Sequence, residues 1–164
     1  SYILDIGCGQ GTFLDHVKDR GYPNLIGVTL SDIDVQACVD KGHAALKMDM
    51  TDMAFDDSEV DFIWCRHAIE HSPFPLFTLL EFNRILKPGG KVYLEVPAPE
   101  QPRCHEANPN HFSILAATMW ASLFTKTGFK VLQSMYFDLE LQSADGPVPE
   151  RNICFVIEKN ESVI

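Results

Sequence analysis

Apolar residues recur along this chain in two rhythms that alternate. Tyr2-Ile3-Leu4-Asp5-Ile6 is a short apolar run closed by Gly7-Cys8-Gly9-Gln10-Gly11, the pattern of a buried strand feeding a glycine loop. Phe13, Leu14 and Val17 then share one face at helical spacing after a capping Thr12, with a stop at Gly21 and Pro23. Residues 25–28 read as a second strand, 32–41 as a helix ended by Gly42, and 44–48 as a third strand. Beyond the acidic stretch 49–59, residues 60–64 read as a strand, 76–86 as a helix closed by Lys87-Pro88-Gly89-Gly90, and 91–96 as a strand. Four prolines make 97–112 a loop; Ile114, Leu115, Thr118, Met119, Ser122 and Leu123 mark a helix that Gly128 ends. Residues 129–136 and 152–159 are two final strands, joined through a predicted loop at 138–151 that carries Gly146, Pro147 and Pro149. With no helix between them, they are expected to be antiparallel neighbours.

Strands alternating with helices define an α/β fold, a three-layer αβα sandwich around a mostly parallel sheet. Right-handed crossovers put the ligand crevice at the carboxyl ends of the strands, so the loops after the first four strands should surround one site. At 164 residues the chain has room for one domain, 1–164. Hydrophobic residues make up 46%, which excludes a disordered chain. The 23 acidic against 13 basic residues give a net charge of -10, and no stretch gathers Lys or Arg into a stripe, so nucleic acid is not expected as a partner. The sequence carries no apolar run of membrane-spanning length and no signal peptide, and its five scattered cysteines form no CxxC pair, which together predict a cytoplasmic protein with reduced thiols and no membrane partner.

Gly7-x-Gly9-x-Gly11 lets the backbone bend sharply and approach a ligand. The dinucleotide fingerprint G-x-G-x-x-G has its third glycine one position later, so a nicotinamide oxidoreductase is the weaker reading. The string from Leu4 to Leu14 instead resembles motif I of the class I S-adenosylmethionine-dependent methyltransferases, and four further stretches match in order. These are Ile26-Gly27-Val28-Thr29-Leu30-Ser31, Met48-Asp49-Met50-Thr51-Asp52-Met53-Ala54-Phe55, Val60-Asp61-Phe62-Ile63-Trp64 with Ala68-Ile69-Glu70-His71, and Arg84-Ile85-Leu86-Lys87-Pro88-Gly89-Gly90. The resemblance covers nearly the whole chain. It implies a seven-stranded sheet of order 3-2-1-4-5-7-6 with the last strand antiparallel, S-adenosyl-L-methionine as cofactor and S-adenosyl-L-homocysteine as its product. It also implies that N-terminal helices which usually help cover the acceptor are absent or removed, the chain being a domain cut from a longer protein.

The same resemblance places cofactor contacts at Asp5, Gly7, Cys8, Gly9, Gly11, Thr29, Leu30, Asp34, Asp49, Met50, Cys65 and Arg66. Most members carry Asp or Glu at the tip of strand 2; here it is Thr29, and the string resembles that of cyclopropane fatty acid synthases, where a polar residue in the next helix serves the ribose. Asp34 stands about there, with Asp32 as competitor. A carboxylate at position 5 of a buried strand is costly unless loop amides or the cofactor's amino group meet it, and either partner is open. Asp49 is read as an adenine contact or a turn cap, and Met50 as packing on the adenine or in the core.

Methyl transfer to oxygen needs alignment of two reactants and removal of a proton, and a His titrating near neutrality suits the second task. His67 and His71 are the candidate bases, on one face if the segment turns helical; His71 could equally hold the loop before Pro73. Arg103, His105 and His111 in the proline-rich loop are the candidate acceptor-lining residues, and 138–151 is a second candidate substrate loop. Cys104, His105, Glu106 and His111 fit no standard zinc spacing, so no metal is expected. Phe74, Phe77, Phe82, Trp120 and Phe124 are expected in the core or at a subunit surface. The reading is a methyltransferase of a small-molecule acceptor, O-methylation favoured, monomeric or homodimeric. The alternative is a non-catalytic adenosylmethionine-binding subunit.

Overall fold

A computed structural model describes residues 2–22, 24–144 and 146–161. Its strands are β1 (Tyr2–Ile6), β2 (Leu25–Thr29), β3 (Ala44–Lys47), β4 (Val60–Arg66), β5 (Leu86–Pro97), β6 (Phe129–Ser143) and β7 (Gly146–Lys159). The helices are α1 (Thr12–Val17), α2 (Asp32–Asp40), α3 (Pro75–Ile85) and α4 (Ala117–Lys126). The strands form one sheet of order β3-β2-β1-β4-β5-β7-β6, parallel except for β7, which pairs antiparallel with both β5 and β6. The predicted order is the observed one.

Chain direction reverses beside β1. From β1 the chain steps outward through β2 to β3, and from β4 it steps the other way, so right-handed crossovers put α1 and α2 on one face and α3 and α4 on the other. Loops leaving β1 and β4 therefore diverge and open a crevice at their carboxyl ends. Beneath it lies the core. Leu4 and Ile6 of β1, Ile63 and Cys65 of β4, and Val92 and Leu94 of β5 pack with Leu79, Phe82 and Ile85 of α3 and Trp120 and Phe124 of α4. Phe82, Trp120 and Phe124 are thus core residues, whereas Phe74 and Phe77 are exposed.

Several boundaries differ from the pattern reading. Gly11 rather than Thr12 caps α1, at φ 83 and without a side-chain bond. The predicted helix 76–86 ends at Ile85, and Leu86-Lys87-Pro88-Gly89-Gly90 is extended: Pro88 disfavours a helical residue before it, and buried Leu86 pairs with Val60 instead. The last helix starts at Ala117, not Ile114.

The largest correction concerns 138–151, which is paired strand rather than loop. β6 and β7 run as one long hairpin through Asp138↔Arg151 and Leu139↔Glu150 to Ser143↔Gly146, reinforced by an Arg151–Asp138 ion pair at 2.7 Å. The prolines that argued against a strand are tolerated because β5 has ended. Arg151 turns its backbone toward Ala98 and Gln101, and Pro147 and Pro149, two and four residues away, present their missing N–H on that same side, past the end of β5.

Candidate functional site

Two backbone bonds bend the glycine loop across the sheet: the Gly7 and Cys8 amides both donate to the Val28 carbonyl, at 2.8 and 3.2 Å. Gly7 has φ 73, and a Cβ there would come within 2.5 Å of the Ala68 side chain, so this glycine is dictated by packing of the first loop against the fourth. Gly9 differs. At φ 49 its absent Cβ would meet nothing within 4 Å, although the residue lines a cleft of about 250 Å3. The free fold does not need that emptiness; a ligand lying close to the backbone does. Gly9→Ala is accordingly expected to cost roughly 1–2 kcal/mol of stability through its positive φ, while weakening S-adenosylhomocysteine binding at least tenfold by calorimetry. Unchanged affinity would remove Gly9 from the cofactor contacts.

The cleft is walled by Gly7, Gly9, Thr29, Leu30, Asp34, Met50, His67 and His71, and also by Ile6, Val28, Met48 and Ala68. The first eight were expected from the sequence; the last four were not, since apolar strand ends give no signal of their own. Between the two carboxylates offered for the ribose, Asp34 lines the cleft and among the described residues its carboxylate meets no donor, whereas Asp32 is tied to Lys47 at 2.6 Å. Asp49 is exposed and caps a turn: its Oδ1 accepts from the Thr51 amide at 2.8 Å and the Thr51 hydroxyl at 2.7 Å.

Besides Asp5 and Asp49, four expected cofactor residues do not line this cleft. Cys8 turns its thiol into a small cluster with Leu14 and Cys38, which leaves only its backbone for a ligand. Gly11 starts α1, where a Cβ would press on the Cys38 sulfur at 3.1 Å. Cys65 is fully buried in the core, and burial pushes its thiol pKa up. Arg66, next along the strand and so on the opposite face, lines a second cavity instead.

This second cavity, about 340 Å3, is built by chain segments distant in sequence. The loop after β5 folds back over the loop after β4, its Phe112 and Ser113 amides donating to the Glu70 carbonyl at 2.8 and 3.1 Å. That brings Arg103, His105 and His111 together with Arg66, His67 and His71. The β6–β7 hairpin closes the other side with Leu139, Leu141, Glu150 and Asn152, so the segment expected as a substrate loop reaches the pocket as strand. His67 and His71 line both cavities. The two spaces therefore share a wall.

Charge in this wall is arranged in pairs. His67, at φ 48, has Nδ1 3.3 Å from Glu70 Oε1 and Nε2 3.1 Å from Glu95 Oε1. Burial alone would lower its pKa, but the bonds to Glu70 and Glu95 outweigh it and carry it to about 9. Glu95 stays ionised: burial opposes its charge, and donation from His67 and from the Tyr93 hydroxyl at 2.9 Å overcomes that, with Arg66 adding attraction. His67 thus already holds a proton near neutrality and is not a base there, against the expectation. His105 is also engaged, its Nε2 2.7 Å from buried Glu150, which Arg103 approaches at 3.4 Å. His105 and Arg103 thus line the cavity, as expected, while paired with Glu150.

Three buried polar groups of this region point to ligand contacts. Asn152 is fully buried and lines the cavity, yet among the described residues neither polar atom of its amide finds a hydrogen-bond partner, nor does Glu70 Oε2. Asp5 is nearly buried in β1, and among the described residues no donor meets its carboxylate; desolvation pushes its pKa to about 7. Of the loop amides, one of the two partners expected for it, those of Gly7, Cys8 and Gly11 donate to the Val28 and Cys8 carbonyls instead.

A family model described as a methyltransferase domain matches residues 1–134. The chain belongs to the class I S-adenosylmethionine-dependent methyltransferases. Sterol 24-C-methyltransferase of Schizosaccharomyces pombe is 31% identical over 98 residues, 55% of this chain and 26% of that protein. A ubiquinone biosynthesis O-methyltransferase of Dechloromonas aromatica is 31% identical over 101 residues, 56% of this chain and 42% of that protein. The matches thus span less than half the length of these relatives. A solved S-adenosylmethionine-dependent methyltransferase of Archaeoglobus fulgidus superposes with a TM-score of 0.77 at 18% identity, over 96% of this chain and 86% of that one. The family membership sets aside the nicotinamide reading. The cofactor is S-adenosylmethionine, and the residues fit it: an open cradle at Gly9, an unpaired buried carboxylate for a cationic amino group, and apolar methionines for a flat base. Among the described residues no helix is long and apolar enough to cross a membrane.

Proposed function

We propose that this methyltransferase modifies a hydroxyl of a small polar acceptor held in the second cavity. The observation that carries the reading is the common wall of His67 and His71, which sets a polar pocket directly against the cofactor cleft. Bound S-adenosylmethionine supplies an electrophilic methyl group on sulfur. The glycine loop backbone at Gly7 and Gly9 would hold it, with Asp34 toward the ribose, Met48 and Met50 against the adenine, and Asp5 toward the amino group.

The protein's share of the work is alignment, which can supply much of such a rate. His67, clamped between two carboxylates, fixes the geometry of the wall. His71 faces the opening with a different disposition: its Nδ1 donates to the Asn110 carbonyl at 2.8 Å, since a carbonyl can only accept, and Nε2 is left with its lone pair. That lone pair stands at the wall of the acceptor pocket. Asn152 offers a donor and an acceptor to the substrate from a dry position, where each such bond counts for about 1–3 kcal/mol.

A panel of hydroxylated small molecules, assayed for transfer of labelled methyl from S-adenosylmethionine, tests the reading. Binding of S-adenosylhomocysteine with no turnover of any hydroxylated, amine or carbon acceptor would favour the non-catalytic alternative; transfer to nitrogen or carbon alone would overturn the oxygen preference. With a turned-over acceptor in hand, Asn152→Ala is expected to raise KM about tenfold with little change in S-adenosylhomocysteine affinity. An unchanged KM would take Asn152 out of the acceptor site.

A further inference from the structure

Glu70, His71 and His111 present three donor atoms that lie within 4.8 Å of one another in the second cavity. We propose that they bind a divalent first-row transition metal ion, with its remaining coordination positions open to the acceptor. The inference rests on reading this cavity as the acceptor site and deepens that reading, by assigning the group that makes a hydroxyl reactive.

Several independent features point to a cation. The first is the carboxylate: Glu70 is buried, Oε1 faces His67, and among the described residues Oε2 has no hydrogen-bond partner. A buried carboxylate oxygen that meets no donor is costly, and a metal ion removes that cost. The second is the state of the two imidazoles. His71 Nδ1 donates to the Asn110 carbonyl at 2.8 Å and His111 Nδ1 donates to the His105 carbonyl at 3.1 Å. Both rings are therefore fixed in the tautomer that leaves Nε2 as a ligand, the outer arrangement typical of metal-binding histidines. Asn108 Nδ2, 3.2 Å from His111 Nε2, sits on an exposed side chain and is readily displaced.

Geometry and ligand type agree. Two imidazoles and one carboxylate suit Zn2+, Co2+ or Mn2+ with positions left over for substrate or water. A cation about 2.1 Å from each donor would set them about 3.4 Å apart, which asks for a modest inward turn of His71, an exposed ring, and of half-buried His111. The two rings already meet edge to face at 4.8 Å between centroids. His105 stacks on His111 at 5.4 Å and is itself anchored to Glu150, so the third ligand is buttressed from behind.

The chemical consequence follows from ordinary Lewis acidity. A hydroxyl coordinated to the ion has its pKa lowered, releases its proton to solvent, and is held as an oxyanion at the cofactor side of the cavity. His71 then acts as a ligand rather than as the proton acceptor.

The test is direct binding with no acceptor present. Chelator-treated full chain is titrated with Co2+ followed by visible absorption and with Mn2+ by calorimetry, alongside His111→Ala, His71→Ala and Glu70→Gln. One ion per chain is expected, weakened on the order of 100-fold in each variant. S-adenosylhomocysteine affinity of His111→Ala should match that of the parent, which shows the variant is folded. No ion bound, or the same affinity in parent and His111→Ala, would overturn the site while leaving the methyltransferase reading intact. Loss of S-adenosylhomocysteine binding by the parent chain would count against that reading and not against the metal.

Discussion

Asp5→Asn is expected to make the free protein more stable and its cofactor binding far weaker. Asp5 is almost wholly buried, without a donor, and desolvation holds its pKa at about 7 against 3.8 for an ordinary carboxyl. Below pH 4 both folded and unfolded chains carry the proton and the residue contributes nothing to pH dependence. Between pH 4 and 7 the unfolded chain ionises first, so stability falls as pH rises, and above pH 7 the deficit is complete. Three pKa units correspond to about 4 kcal/mol. Asparagine removes the charge but stays polar, so a gain of about 2–4 kcal/mol is expected at pH 8 and none at pH 4, read from thermal or urea unfolding at the two pH values. The same change deletes the anion proposed for the cofactor's ammonium. S-adenosylhomocysteine affinity at pH 8 should fall roughly 10- to 100-fold, the worth of one charged hydrogen bond. In the parent, affinity should also weaken as pH drops below 7, because Asp5 must lose its proton to bind a cation; the variant should lack that slope. Equal affinities for the two proteins would assign Asp5 a structural role only.

Arg84→Met is the second large effect, and its direction is opposite. Arg84 donates to both oxygens of Glu81, at 2.8 and 2.7 Å, to Asp57 at 2.8 Å, and to the carbonyls of Phe55 and Met53 at 2.9 and 3.0 Å. Glu81 also accepts the Met53 amide, at 2.7 Å. One guanidinium thus fastens the segment after β3 onto α3. Removing it leaves a nearly buried Glu81 with a single amide donor, strips the Phe55 carbonyl of its guanidinium donor, and leaves the Met53 carbonyl with the Phe55 amide alone. A loss of about 3 kcal/mol is expected, the lower end for a broken buried pair because Arg84 is partly open to solvent. That is roughly 6–12 °C in Tm for a chain of this size. Lysine should not rescue it, since one ammonium cannot reproduce the planar fork. The fastened segment continues from Met48 and Met50 of the cofactor cleft, so S-adenosylhomocysteine affinity should fall several-fold as well. A Tm within 2 °C of the parent's would show that the network contributes little.

Much of this was visible in the chain before any coordinates. Periodicity is a local property that records which face of a residue is dry, and it sufficed for all seven strands, four helices and the order in which they alternate. The glycine loop and Asp34 were legible because a tight turn and a helix start constrain their residue types within a few positions. Misreadings came where two local signals competed. Prolines in 138–151 argued for loop, while pairing in a two-stranded extension beyond β5 made them harmless. Cys65 and Arg66 were both assigned to the cofactor, though adjacent strand residues face opposite ways and neither reaches the cleft.

The metal ligands were out of reach of spacing rules for a stronger reason. Glu70 and His71 sit in the turn after β4, His111 in the loop after β5, and the bonds from Phe112 and Ser113 to Glu70 and from His71 to Asn110 bring them together. Asn152 and Glu150 enter the same cavity only because β7 inserts between β5 and β6. By itself the sequence determined the elements, the family and the cofactor loop, since each depends on residues close in the chain. The tertiary structure alone decided which histidine is a cation, which carboxylates stand unpaired and which side chains face an acceptor. Those properties depend on desolvation and on neighbours supplied by distant segments, and they exist only once the sheet has brought the segments into register.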